Sequence, residues 1–191
     1  DLPDALLASG SSEPTPERLE QIAERVRRAS MPDELAESLT EAFGKLREEG
    51  ARAVAVRSSS TREDQEDAAA AGLHATFLHV ATEEELLDAV RACWASLYSP
   101  QVLSYLKNVP GEAEAAVGVV IQAMVPAEVS GVLFTVNPLT GDPDEMVINC
   151  SWGLGCALVE GRVSPDTLRI DKESGAPRDR IIGDKSVRVV P

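Results

Sequence analysis

Near Ala115 the apolar residues of this chain change their spacing, and no other feature restricts the fold so much. Upstream they recur every three or four positions, as on one face of a helix; downstream they form short runs cut by proline and glycine, as strands do. Helices gathered in one half and strands in the other predict an α+β fold with a largely antiparallel sheet, because a doubly wound parallel sheet needs the two to alternate. With 191 residues the chain has room for one compact domain or two small lobes. It divides into a helical segment at 1–50, a mixed segment at 51–114 and a strand-rich lobe at 115–191.

Thr15-Pro16-Glu17 supplies a cap, a proline at the first helical position and an early acid, and Leu19, Ile22, Ala23 and Val26 follow at helical spacing. Ser30-Met31-Pro32-Asp33 starts a second helix with the stripe Leu35, Leu39, Phe43 and Leu46, and Gly50 is its left-handed stop. Thr82 and Glu85 form a capping box ahead of Leu86, Leu87, Val90, Cys93, Trp94 and Leu97. A further short helix is expected over 100–106. Strands are expected over 51–57, 117–124, 131–136, 146–150 and 167–171, with a terminal hairpin over 178–190 around Gly183-Asp184.

Against 32 Asp and Glu stand 18 Lys and Arg, and the formal net charge of -14 has the wrong sign for a general binder of nucleic acid or anionic membrane. A phosphate-bearing ligand must therefore meet a local cluster of basic groups and backbone donors. Cys93, Cys150 and Cys156, an odd number without a C-x-x-C pair, suit reduced thiols in a cytoplasmic protein. No apolar run approaches the ~20 residues that span a bilayer. The opening DLPDALLASG has neither an initiator Met nor a basic leader, as expected of a piece cut from a longer protein.

Chemistry concentrates where the first strand runs into Arg57-Ser58-Ser59-Ser60-Thr61, a hydroxyl run that is expected to leave the strand. A forked, permanently charged donor beside consecutive hydroxyls suits phosphate oxygens, although a solvated turn with an incidental arginine fits the same residues. Residues 63–72 read equally as helix or mobile loop. Gly72 would let backbone amides approach a polyphosphate, and Thr76 adds a hydroxyl. Gln122, Ala123, Met124 and Val125, before Pro126, have the makings of a hinge whose backbone meets a planar base, or of an ordinary strand end. His74 and His79 lack partners at ligand spacing, and Glu63, Asp64, Glu66 and Asp67 read as a solvated acidic face.

In order along the chain these segments resemble one family. Ala53-Val54-Ala55-Val56-Arg57-Ser58-Ser59-Ser60-Thr61, Ala71-Gly72, Thr76-Phe77-Leu78 and Cys93-Trp94-Ala95-Ser96-Leu97 are followed by Ile121-Gln122, Met124-Val125, Ser130-Gly131-Val132, Phe134-Thr135, Asn137-Pro138, Thr140-Gly141, Ser151-Trp152-Gly153-Leu154-Gly155 and Ser164-Pro165-Asp166. The series is similar to the nucleotide-binding region of phosphoenolpyruvate synthase (pyruvate, water dikinase) and its relatives. That resemblance implies an ATP-grasp-like fold with ATP between lobes, and a distant domain that carries a phosphorylated histidine to a pyruvate site. It implies that Arg57 contacts the transferring phosphates and that the 58–72 loop, with Ser58, Ser59 and Gly72, closes over them. Thr76 and Asn137 join the ATP-binding set, and Gln122, Ala123, Met124 and Val125 hold adenine.

The resemblance also implies Mg²⁺, with ligands outside this chain, and the remaining phosphohistidine and acceptor domains of the parent enzyme as partners. Family members commonly carry glutamates where this chain has Asn149 and Cys156, and a bulky residue where it has Ala69-Ala70-Ala71. The family's phosphate-binding lysine segment and its Gln-x-Arg-Pro segment have no match here. Weak ATP binding by the piece alone is therefore expected. A rifampin-type antibiotic phosphotransferase and a degenerate, non-catalytic nucleotide-binding module are the alternatives.

Overall fold

A computed structural model describes residues 15–60, 75–100 and 117–190. The chain forms two compact units that divide between Met124 and Val125. In the first, α1 (Pro16–Arg28), α2 (Asp33–Glu48) and α3 (Glu83–Ala95), followed by a 3₁₀ turn at Ser96–Tyr98, accompany a three-stranded sheet. Its strands are β1 (Val54–Ser60), β2 (Thr76–Val80) and β3 (Val117–Ala123), in the order β2-β1-β3 with both pairings antiparallel.

The helices start where the sequence says they should, with one difference. Thr15 accepts a hydrogen bond from the Arg18 amide, and Leu19 and Ala23 are buried. The second helix begins at Asp33 with Pro32 at its cap position and no capping side chain, so Ser30 plays no part in starting it. Gly50 has φ +102, the left-handed conformation that ends this helix. The α3 capping box is complete: Thr82 Oγ1 accepts from the Glu85 amide, and Glu85 Oε2 accepts from the Thr82 amide. Phe43, Val54, Val56, Val80, Leu86, Ala89, Val90 and Cys93 form the core, with Leu39, Leu46, Phe77, Val119 and Ile121 packed against it. Each large side chain in such a cluster contributes about 1.5–3 kcal/mol by leaving water.

The hydroxyl run does not leave the strand. Ser58, Ser59 and Ser60 pair with Val119, Gly118 and Val117 of β3. Serine has little preference for strands, but a waiting partner strand satisfies its backbone groups and overrides that preference. Residues 63–72 and 101–106 lie outside the described residues.

The second unit is an antiparallel meander, β4 (Val129–Phe134), β5 (Glu145–Trp152), β6 (Asp166–Asp171) and β7 (Pro177–Ile181), with the short helix α4 (Cys156–Val159) after β5. The final hairpin joins β6 to β7 and is not centred on Gly183-Asp184. Asp171 makes its turn: one carboxylate oxygen accepts from the amide and hydroxyl of Ser174, and the other accepts from Arg178. These bonds, led by the Ser174 hydroxyl, hold the Asp171 carboxyl well below the usual carboxylate range. Gly183 instead donates its amide to Asp166 and lies so close to Ser164 that a Cβ would come 2.1 Å from the Ser164 carbonyl oxygen. Residues 182–188 form no strand, so no hairpin turns at Gly183.

Candidate nucleotide site

Strand alternation sorts the hydroxyl run before any ligand is considered. Val54, Val56 and Ser58 face the core, so strand alternation turns Ala55, Arg57 and Ser59 the other way; of these Ala55 is also buried, whereas Arg57 is exposed. Arg57 is exposed and lies in register between Thr76 on β2 and Val120 on β3. Gln122 stands opposite Ala55, one pair further along the same face. Directly opposed residues have Cβ atoms about 4.5–5.5 Å apart and diagonal ones about 7–8 Å, so Arg57, Thr76 and Gln122, each exposed, lie on one face of the sheet. Ser59 borders it opposite Gly118. Among the described residues no carboxylate pairs with Arg57.

Ser58 is differently occupied. Its buried hydroxyl accepts from the Ala75 amide at 2.8 Å and donates to the Ala75 carbonyl at 3.3 Å, while its own amide donates to that carbonyl at 2.9 Å. It fastens the entry to β2. Gly72 lies outside the described residues.

At the end of β3, Ala123 is exposed and stands opposite Val54. The Met124 amide donates to the Ala53 carbonyl at 3.0 Å, and its sulfur accepts from the His79 amide at 2.9 Å. Val125, 72% exposed, begins the second unit.

Asn137 belongs to that second unit and is 2% exposed. Its amide nitrogen donates to Glu145 Oε2 at 2.5 Å, and its oxygen accepts from the Leu139 and Thr140 amides at 2.9 and 3.2 Å. The side chain is thus engaged in holding the 137–144 loop to β5. Asn149 Oδ1 accepts from the Thr167 hydroxyl at 2.8 Å, and Cys156 opens α4. Among the described residues no three metal-binding side chains cluster.

Beside the patch, β2 and α3 enclose a groove of about 500 Å³ bordered by Thr76, Leu78, His79, Glu85, Asp88 and Ala92. Its acids are engaged: the Ala81 and Thr82 amides hold the Glu85 carboxyl below its ordinary value, and Asp88 pairs with Arg91. The groove is bordered by two carboxylates and has no arginine or lysine in its lining, whereas the sheet face offers Arg57. Two contributors were not picked out from sequence. Val120, exposed beside Arg57, was legible from strand parity, while the left-handed His79 left no sequence signal beyond histidine's tolerance of that conformation.

Comparison with known proteins adds a family. Residues 5–191 match the family described as pyruvate phosphate dikinase, AMP/ATP-binding domain. Over 74% of its length the chain is 49% identical to an uncharacterized phosphotransferase, YvkC, of Bacillus subtilis, of which it covers 17%. It is 37% identical over 91% of its length to phosphoenolpyruvate synthase of Pyrococcus furiosus, covering 22% of that protein. A prodigiosin synthesizing transferase of Serratia marcescens is 42% identical over 69% of the chain, which covers 15% of it. The chain thus spans about a fifth of the length of the curated relatives it matches.

Proposed function

We infer the function from one premise: the chain belongs to the pyruvate phosphate dikinase AMP/ATP-binding domain family. It is the ATP-binding part of a phosphotransferase similar to phosphoenolpyruvate synthase. In our reading it is a partial ATP-grasp domain. The whole protein splits ATP to AMP, passes the β-phosphate to a histidine on another domain and then to pyruvate. It does so in the cytoplasm with Mg²⁺ held by residues outside this chain.

The observation that carries this reading is the exposed sheet face on which Arg57 stands between Thr76 and Val120 with Gln122 on the same side. Phosphoryl transfer asks mainly for positioning and charge neutralisation. Arg57 supplies a planar fork of donors for phosphate oxygens, and Thr76 and Ser59 supply hydroxyls at its sides. Gln122 and the backbone of 123–125 take the adenine edge, with Met124 as an apolar wall. Gly72 belongs to the phosphate-covering loop. Ser58 fixes β2 beside Arg57, and Asn137 holds the 137–144 loop to β5 within the second unit.

Titration of the chain with ATP, followed by amide NMR, tests the reading. Weak, millimolar binding is expected, with shifts at Arg57, Thr76 and Gln122 that Arg57→Ala abolishes. Shifts confined to residues away from this face would refute the assignment.

A further inference from the structure

Strand β2 carries one residue too many for its partner. Val54 pairs with Val80 and Val56 with Phe77, so Leu78 and His79 together face Ala55 in a bulge. His79 has φ +62, and among the described residues only Lys185 shares a positive φ without being glycine. A left-handed backbone costs an L-residue about 1–2 kcal/mol, and such strain persists only where the surroundings fix it.

The effect of this conformation is visible in one bond. The His79 amide is turned onto the sulfur of Met124, 2.9 Å away. A thioether is a weak acceptor, so the bond adds little stability. What it does is select one arrangement of an unbranched side chain with three rotatable bonds. The Met124 backbone is fixed independently through Ala53. Both ends of the residue are therefore held at the point where β3 finishes.

We propose that His79 is a positioning residue for nucleotide recognition: its left-handed backbone sets the Met124 thioether as a preformed wall for the purine base. The inference rests on the reading of 122–125 as the base-holding segment and deepens it. A ligand that meets an ordered wall does not have to order it on binding.

The chain has three methionines, so ¹³C-methyl labelling yields three signals, from Met31, Met124 and Met146. His79→Gly and His79→Asn keep access to the left-handed region, whereas β-branched His79→Val does not. The probe is AMP. The wild type, His79→Gly and His79→Asn should each show an ordered Met124 methyl that moves on titration. In His79→Val that signal should collapse toward the position of free methionine, with Met31 and Met146 unmoved, and AMP should bind about fivefold more weakly, the loss of one packed contact. If His79→Val unfolds, shown by displacement of Met31, which packs against the core, His79→Ala serves in its place.

An unmoved Met124 signal in the variant, or a collapsed one with wild-type AMP affinity, overturns the proposal. So does a wild type in which AMP moves Arg57 and Thr76 but leaves Met124 still; there the nucleotide reading survives and the positioning role does not. If AMP moves none of the three, the nucleotide reading fails and this inference with it.

Discussion

Two neighbouring residues on β1 should fail in opposite ways when truncated. Ser58→Ala removes the buried hydroxyl that bonds both the amide and the carbonyl of Ala75. The Ser58 amide still satisfies that carbonyl, but the Ala75 amide has lost its acceptor. An unsatisfied donor costs about 1–3 kcal/mol when buried, and the part-buried Ala75 amide should cost toward the lower end, about 1 kcal/mol, which for a chain of this size lowers the melting temperature by about 2–4 °C per kcal/mol. ATP affinity should change less than twofold, because Ser58 faces the core. Arg57→Ala should leave stability within about 0.5 kcal/mol of wild type, as exposed substitutions do. It should weaken ATP binding tenfold or more, since a hydrogen bond to a charged group contributes about 1.5–3 kcal/mol. Urea unfolding followed by circular dichroism, with ATP titrations on the same samples, measures both axes. Weakened binding with unchanged stability in Ser58→Ala would refute the assignment of faces. So would a loss of more than about 1 kcal/mol of stability in Arg57→Ala.

Two further outcomes follow from the packing. Burial pushes the Cys93 thiol up from 9.0 to about 11, so its native state favours the protonated form. That stability is fully present below pH 9 and is lost as pH rises through 11, up to about 2–3 kcal/mol. Urea midpoints across this range should fall more steeply in the wild type than in Cys93→Val, and parallel curves would exclude the thiol as the cause. Gly183→Ala drives a Cβ against the Ser164 and Pro165 carbonyl oxygens, 2.1 and 2.3 Å away, and should destabilise by about 1–3 kcal/mol. A midpoint shift equivalent to under about 0.5 kcal/mol would mean that the backbone around Gly183 moves freely.

Local chemistry told the truth at most helix ends, the start expected at Ser30 excepted. Thr15, the Thr82–Glu85 box and Gly50 mark helix ends through bonds or torsions that span four residues at most. The strands of the second half were found from their period and came within about two residues of their true ends. What failed depended on distant partners. Ser58 to Ser60 read as a loop because β3, which holds them extended, lies far along the chain. The terminal hairpin was misplaced because Gly183 looks like a turn residue until Ser164 and Asp166 occupy it. The site face was half legible: Arg57, Thr76 and Gln122 carry visible chemistry, but only register brings them abreast. Ser58 seemed equivalent to Ser59 until parity separated them.

Strand β1 lies in the middle of its sheet, yet both of its neighbours are made after it. On a ribosome adding roughly 5–20 residues per second, Val54 and Val56 emerge seconds before Val119 and Ile121 exist to pair beside them. During that wait the nascent segment must be shielded by its own helices or by a chaperone. Slow translation of the intervening stretch would thus lengthen the interval in which this polypeptide is most open to mispairing with another copy of itself.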